Sequence, residues 1–233
     1  MPRRDGGQRA LSAQSTLLWE APSLGIHCAW RSDRVRRHYA LHRRISVFNT
    51  TTAVCCHHGH VQVDTERLHL SPLAMSDHAD LYRLQQDPEM MRYLGDGRPY
   101  AEHQSVTWLE WNVAMWETEG YGFWAARDRA DDAFLGWIGV TKVFDPPELL
   151  EESEVGWFVD RQRWGQGLAT EGAREALRFA FDDLGLPRVI ARYNAANTAS
   201  GRVMEKIGMQ FWGEMPHTEM PGATTRIYEM MQS

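Results

Sequence analysis

The sequence predicts an α/β (α+β) fold, a single mixed sheet with helices packed on it, and three observations lead there. From residue 61 onward the apolar pattern switches between strand and helix periods in the order β-α-α-α-β-β-β-α-β-α-β-β. Two of those strands, residues 121–128 and 134–144, are joined by the short polar link "RADDA", an antiparallel hairpin. Residues 154–193 then read as strand, helix and strand, a β-α-β unit whose two strands run parallel. An antiparallel first half joined to a parallel unit gives a mixed sheet that needs helices to cover it.

Each element has a local reason. "TERLHLSPL" (65–73) alternates around Leu68, Leu70 and Leu73 and forms the first strand. Ser76 is placed to cap the short helix "DHADLYRLQQ". Asp87-Pro88 reads as an N-cap followed by proline at the first helical position, opening "EMMRYL", which Gly95 and Gly97 break. Val106, Leu109, Val113 and Trp116 recur at helical spacing over residues 100–118, and Gly120 ends that helix. After the hairpin, Pro146-Pro147 and an acidic loop lead into the fourth strand, "EVGWFVD" (154–160). Residues 168–184 carry the strongest helical signal, with Ala169, Ala173, Ala176, Leu177, Ala180, Phe181 and Leu184 on one face. Gly185 and Pro187 stop it. "RVIARYN" (188–194) is a buried fifth strand, "TASGRVMEKIG" a helix, and "MQFWGEM" and "TTRIYEM" are the closing strands.

Composition divides the chain near position 60. Residues 1–60 hold nine arginines against Asp5, Glu20 and Asp33, a net of +6, whereas the whole chain is −6, so residues 61–233 carry −12. We expect 1–60 to be a basic, Cys/His-containing and poorly ordered extension, and 61–233 to be the functional domain. All three cysteines fall in the first part, so the domain is no disulfide scaffold and fits a reducing cytoplasm. No apolar run approaches bilayer length, and no apolar stretch follows the early arginines as a secretory signal requires. "CCHHGH" (55–60) invites a metal reading, but adjacent ligands rarely converge on one ion, so no metal is expected. "RSDRVRRHYALHRR" could touch nucleic acid; we read it as a solvated charge run and expect neither nucleic acid nor membrane as partner. A homodimer is compatible with the sequence.

The stretch "RWGQGLATEG" (163–172) sits between the fourth strand and the strongest helix. The first amides of a helix lack internal partners and its dipole is positive there, so an anion fits. Gly165 and Gly167 can take positive φ and admit a ligand close to the backbone. A turn that needs glycine only sterically is the competing reading. The Walker pattern fails because Ala173-Arg174 stand where its lysine and hydroxyl belong. The dinucleotide fingerprint keeps only its first two glycines, and "RVIARYN" offers no acid for a ribose.

"WGQGLATEGAREALRFAF", followed after the next strand by "NAANTASGRVMEKIGM", resembles the GNAT acetyltransferases, in particular the ribosomal-protein N-acetyltransferase-like branch. The likeness runs over about residues 62–231, including "TERLHLSPL" and "DPEMMRYLG". It implies the GNAT acyl-CoA N-acyltransferase fold: a mixed, mostly antiparallel twisted sheet, splayed between the fourth and fifth strands, with helices on both faces. It implies acetyl-CoA as co-substrate and an amine-bearing small molecule or protein as acceptor. It further implies that Trp164, Gly165, Gln166, Gly167, Leu168, Ala169 and Thr170 cradle the pyrophosphate. Trp164 replaces the Gln or Arg usual in the family, which affects a side-chain contact and not the backbone cradle. The resemblance places Trp157, Phe158 and Val159 along the pantetheine arm, Asn197 against it, and Ser200 near the sulfur.

Acetyl transfer to an amine needs a proton acceptor, donors for the developing oxyanion and help for the leaving thiolate. A backbone N–H on the fourth strand is placed to meet the oxyanion. Glu154, opening that strand, is the candidate base; Ser200 is the candidate donor to sulfur, with Tyr193 and Tyr228 as fallback acids. A solvated carboxylate for Glu154 and a helix-capping role for Ser200 are the alternatives. Trp108, Trp111, Trp116, Trp124 and His103 could line an acceptor pocket. Glu148, Glu151, Glu152 and Glu154 form an acidic cluster that would attract a cationic amine. A non-catalytic acyl-CoA sensor is the competing function.

Overall fold

The computed structural model describes residues 61–150 and 152–232. The basic segment 1–60, with its cysteines and the "CCHHGH" run, lies outside the described residues. The strands are β1 (Val63–Asp64), β2 (Leu68–Pro72), β3 (Phe123–Asp128), β4 (Phe134–Lys142), β5 (Ser153–Val159), β6 (Arg188–Asn194), β7 (Gln210–Pro216) and β8 (Thr224–Met231). The helices are α1 (His78–Gln85), α2 (Pro88–Met91), α3 (Glu102–Glu119), α4 (Leu168–Arg178) and α5 (Thr198–Lys206). The strands form one sheet in the order β1-β2-β3-β4-β5-β6-β8-β7. Neighbours are antiparallel except for β5 and β6, which run parallel. Among the described residues no helix is long and apolar enough to cross a membrane.

Helices cover both faces, which is why β4 reads as an almost unbroken apolar run. On one face Leu81, Leu84, Met91 and Leu109 of the first three helices pack on Phe123, Ala125, Trp137 and Phe158. On the other, Leu168, Ala173, Ala176 and Leu177 of α4 and Met204 of α5 pack on Leu70, Trp124, Ile138 and Val155. Small residues let α4 sit close to the sheet. A Cβ on Gly172 would lie 2.5 Å from Ile138 Cδ1.

The sheet opens where the resemblance implies. β5 pairs with β4 along its whole length, from Ser153 opposite Lys142 to Val159 opposite Gly136. With β6 it shares a single paired position, Glu154 opposite Ile190, and beyond it the two strands part.

Two local expectations need correction. Ser76 does not cap the first helix; Asp77 holds the N-cap position without a side-chain cap bond, and its Oδ2 instead accepts from the Ala74 amide at 2.9 Å, closing the tight turn that precedes the helix. Its other oxygen takes Arg127 at 2.6 Å, which fixes the carboxylate in place. The long helix predicted to reach residue 184 keeps α geometry only to Arg178. Phe179–Asp183 form a π turn before Gly185 at φ +63°. The apolar face persists through the wider turn because Phe179 and Ala180 stay buried, so periodicity alone did not reveal the change.

Candidate active site

The turn after β5 is built to leave its amides open. Asp160 accepts from the Gln162 amide at 2.9 Å and starts a tight turn, Arg161–Arg163. Gly165 (φ +76°) and Gly167 (φ +82°) then reverse the chain into α4. Gly167 is the N-cap and has no side chain to offer, and the first helical bond runs from Glu171 N–H to Gly167 O at 3.0 Å. The amides of Gly165, Gln166, Leu168, Ala169 and Thr170 therefore donate to no acceptor among the described residues. The space before them is open: a Cβ on Gly165 would meet nothing within 4 Å, and one on Gly167 only Arg67 Nη2 at 3.6 Å. Glycine is required here by backbone conformation, not by crowding.

Arg67, which the sequence reading passed over, braces this turn. Its Nη1 donates to Gln166 O at 2.8 Å, and its Nε donates to Glu171 Oε2 at 2.7 Å. Glu171 Oε1 also accepts from Thr65 Oγ1 at 2.6 Å and from the Arg67 amide at 2.8 Å. Burial pushes the Glu171 carboxyl up, but these hydrogen bonds and the Arg67 charge outweigh it and hold the group below its ordinary range. A cavity of about 420 Å³ lies beside the turn, lined by Arg67, Gly167, Thr170, Arg174 and Lys206 among others. Cations and free amides together suit a polyanion.

The gap between β5 and β6 adjoins that turn. Asp160 N–H donates to Leu135 O at 2.7 Å, so by strand alternation the main-chain groups of Trp157 and Val159 point away from β4 and into the gap. The Val159 carbonyl is taken by the Trp164 indole at 2.6 Å. That bond gives Trp164 a role of its own, folding the turn back on β5 while half its surface stays exposed. Phe158 points to the opposite face, into the α1–α3 packing.

Asn197 N-caps α5, its Oδ1 accepting from the Ser200 amide at 3.3 Å. Ser200 lies in the first turn of that helix, where Tyr193 packs so tightly on Gly201 that a Cβ there would be 2.7 Å from its hydroxyl. Tyr193 and Tyr228 pack with their rings tilted by 55° and centroids 6.0 Å apart. Glu154 is held by Arg192, with Oε1 3.1 Å from Nε and Oε2 2.7 Å from Nη2. Burial works against the Arg192 cation, but Glu154 outweighs it and raises the guanidinium above its ordinary value.

The expected acceptor aromatics separate. Trp108 stacks into a group with Phe123, Trp137 and Phe158, with the Phe123–Trp137 centroids 4.2 Å apart. Trp111 meets Phe144 edge-on. Trp124 is fully buried on the other face, where Trp116 packs against it. His103 is exposed on α3. Of the acidic cluster, Glu148 is exposed, Glu152 pairs with Arg188 at 3.6 Å, and Glu151 lies outside the described residues. The arginines of β6 thus pair with two of the four carboxylates that were expected to attract an amine, Glu152 and Glu154. Among the described residues no group of three or more His, Cys, Asp or Glu side chains is arranged to hold a metal ion.

Residues 67–210 match the family model described as acetyltransferase (GNAT) domain. The chain is similar to the FsC-acetyl coenzyme A-N(2)-transacetylase of Aspergillus fumigatus, 36% identical over 152 residues, 62% of this chain and 63% of that protein. It therefore spans less than two thirds of that relative's length. Among solved structures it resembles an acetyltransferase from Agrobacterium tumefaciens, 26% identical, with a TM-score of 0.62 over 80% of this chain and 99% of that one. A ribosomal L7/L12 α-N-protein acetyltransferase solved in complex with coenzyme A shares the fold at 16% identity, with a TM-score of 0.60 over 73% of this chain and 97% of that one.

Proposed function

The chain belongs to the acetyltransferase (GNAT) family, and from that premise we propose that it transfers an acetyl group from acetyl-CoA to a primary amine, by direct attack in a ternary complex. One observation carries the reading: a run of open amides at a helix N-terminus adjoins the place where β5 and β6 part. Free N–H groups, an unobstructed approach at Gly165 and nearby Arg67, Arg174 and Lys206 suit a diphosphate.

The residues then have distinct tasks. The amides from Gly165 to Thr170 bind the diphosphate, and Arg67 keeps that turn in shape through Gln166 O. The main-chain groups of Trp157 and the Val159 amide pair with the pantetheine arm along the gap, the Val159 carbonyl being held by the Trp164 indole. Bound acetyl-CoA supplies an activated thioester. The neutral amine nitrogen forms a bond to the acetyl carbon, the carbon–sulfur bond breaks, and sulfur leaves as a thiolate. The amine must shed a proton before attack and the amide nitrogen a second afterwards; the thiolate takes up one, so one proton is released overall. Ser200, in the first turn of α5, is the proposed hydrogen-bond donor to sulfur. Glu154 can act as base only if its pair with Arg192 opens.

That engagement of Glu154 favours the second reading, an acyl-CoA-binding sensor without catalysis. Thiol release from acetyl-CoA, measured with the full chain over a panel of small amines and peptides, separates the two. Acetyl transfer requires amine-dependent release. Coenzyme A binding with no release across the panel would leave the sensor.

A further inference from the structure

A second cavity, of about 260 Å³, lies on the α1–α3 face of the sheet and is lined by Tyr100, Trp108, Phe123, Trp137 and Phe158. Phe158 belongs to β5, so the cavity borders the strand whose other edge faces the gap. Its walls are aromatic, and two polar groups break them, Gln85 from α1 and Glu219 from the turn between β7 and β8.

Both polar groups lack partners. Gln85 is 3% exposed, yet its Oε1 has no hydrogen-bond partner. A buried amide left unpaired costs stability, so such a group calls for an explanation. Its carboxamide can present oxygen or nitrogen by a half-turn of its last torsion. Glu219 accepts no hydrogen bond and joins no ion pair among the described residues. Arg192, the nearest cation acting on it, has already given its guanidinium to Glu154 and to the Asp145 carbonyl at 2.7 Å.

Glu219 is nevertheless held firmly. His217 Nδ1 accepts from the Glu219 and Met220 amides, each at 3.1 Å. Asn194 Nδ2 donates to Met220 Sδ at 3.2 Å and ties the turn to β6. The carboxylate faces Gly95, where a Cβ would lie 3.3 Å from Glu219 Oε2 and 3.3 Å from the Tyr100 hydroxyl. An ordered turn aims an unpaired carboxylate at an aromatic cavity whose floor holds an unpaired amide.

We infer that this cavity is the acceptor site, and that it takes a compact primary amine on an apolar or aromatic body, with Glu219 and Gln85 receiving its N–H groups. The ligand must bring donors, because a carboxylate offers only acceptors and the amide oxygen needs one. It must be cationic or neutral, because Asp96 and Asp145 add negative charge around Glu219. Aromatic walls favour an ammonium electrostatically and an apolar body by burial. The volume falls just below the ~300–1,000 Å³ of drug-sized ligand pockets, which favours a small molecule over a protein chain. Burial first, and then Asp145 and Asp96, push the Glu219 carboxyl above its ordinary value against the pull of Arg192; a bound cation would relieve this.

This inference rests on the proposed acetyl transfer, and the test keeps the two apart. The full chain is titrated by calorimetry and tryptophan fluorescence with 2-phenylethylamine, 2-phenylethanol, a tetrapeptide with a free N-terminus and, separately, coenzyme A. The amine should bind at least about tenfold more tightly than the alcohol, as expected of a charge-assisted contact. Glu219→Gln should abolish that preference, and Gln85→Met should weaken the amine about three- to tenfold. Coenzyme A affinity should be unchanged in both variants, which also shows that they fold. Equal binding of amine and alcohol, an unaltered preference in Glu219→Gln, or acetylation of the tetrapeptide without binding of the amine would overturn the assignment. Intact amine selectivity without any coenzyme A binding would support the cavity and overturn acetyl transfer.

Discussion

One guanidinium, that of Arg192, holds both carboxylate oxygens of Glu154, at 3.1 Å through Nε and 2.7 Å through Nη2. The pair spans β5 and β6 at the position where those strands are joined, just before they part. Its side chains are 24% and 17% exposed, so it is shielded from water more than a surface pair. The link is therefore placed to fix the width of the gap.

Arg192→Met should cost on the order of 2 kcal/mol, between the limits for exposed and fully buried pairs. Glu154→Gln, which keeps one acceptor for Arg192, should cost less. Urea unfolding of the two variants measures both. If Glu154 is mainly structural, kcat in Glu154→Gln stays within about tenfold of the parent, short of the ~10²–10⁴ ascribed to a general base. A hundredfold fall in kcat with unaltered stability would restore Glu154 as the proton acceptor.

Gly165→Ala and Gly167→Ala separate strain from crowding. Both glycines have positive φ, and neither position is crowded. Each alanine should cost about 1–2 kcal/mol of stability from backbone conformation alone. Coenzyme A affinity should fall at least tenfold, because relieving that strain turns the amides away from their common target. Calorimetric titration alongside thermal melts checks both; undiminished affinity in the two variants would remove the diphosphate from this turn.

The order of elements along the chain and the glycine turn were legible because each depends on neighbours in sequence. Alternation marked the strands, and two glycines between a strand and an amphipathic helix marked the turn. The brace was harder to see, since Arg67 lies 99 residues from Gln166 in sequence and meets it only after folding. The second cavity was hidden for the same reason. Gln85 read as one more polar residue on a short helix, and Glu219 sat in a link between closing strands that showed no pattern. Trp124 illustrates the reverse error, because an aromatic in a strand gives no sign of which face it will occupy. Its complete burial against α4 took it out of the acceptor site.

Gly172 supports the cradle from below. The Cβ of Gly172→Ala would sit 2.5 Å from Ile138 Cδ1 and 3.2 Å from Leu68 Cδ1. The gain in helix propensity is about 1 kcal/mol, while overpacking typically costs 1–3 kcal/mol, so a net loss of roughly 1 kcal/mol is expected. Pairing it with Ile138→Val should recover part of the loss, since that change removes the clashing methyl. Denaturant midpoints of the single and double variants check this; simple additivity of two losses would show that the contact is not the cause.

Glu171 makes the brace depend on pH. Its carboxyl is held below the ordinary range in the folded chain, so the unfolded chain binds the proton more tightly. Its contribution is thus fully present above the ordinary carboxylate value of about 4.3 and is lost as pH falls through the lower folded value. Melting temperature should drop more steeply with acid in the parent than in Glu171→Gln, the difference appearing below about pH 4.5. Parallel melting curves down to about pH 3 would count against the brace.

Glu219, whose carboxyl is shifted the other way, should make amine binding fall with acid at a higher pH than the loss of the Glu171 brace. Its carboxyl is raised by burial, then by Asp145 and Asp96, with Arg192 opposing. Tyr100, beside it, is pushed up to about 12 by burial and the charges of Glu219 and Asp96, so it stays neutral throughout the accessible range. As pH falls, Glu219 takes up its proton above the ordinary carboxylate range, and the site loses the charge that holds an ammonium. The affinity for 2-phenylethylamine should therefore weaken before free carboxylates titrate. Among the described residues His217 is the other titratable group at this turn that could interfere, its pKa lowered by burial and then by Arg192. Protonation would deprive the Glu219 and Met220 amides of their acceptor. Glu219→Gln retains His217, so the difference between the two affinity profiles isolates the carboxylate. A profile unchanged by that substitution would assign the pH dependence to His217 and remove Glu219 from contact with the amine.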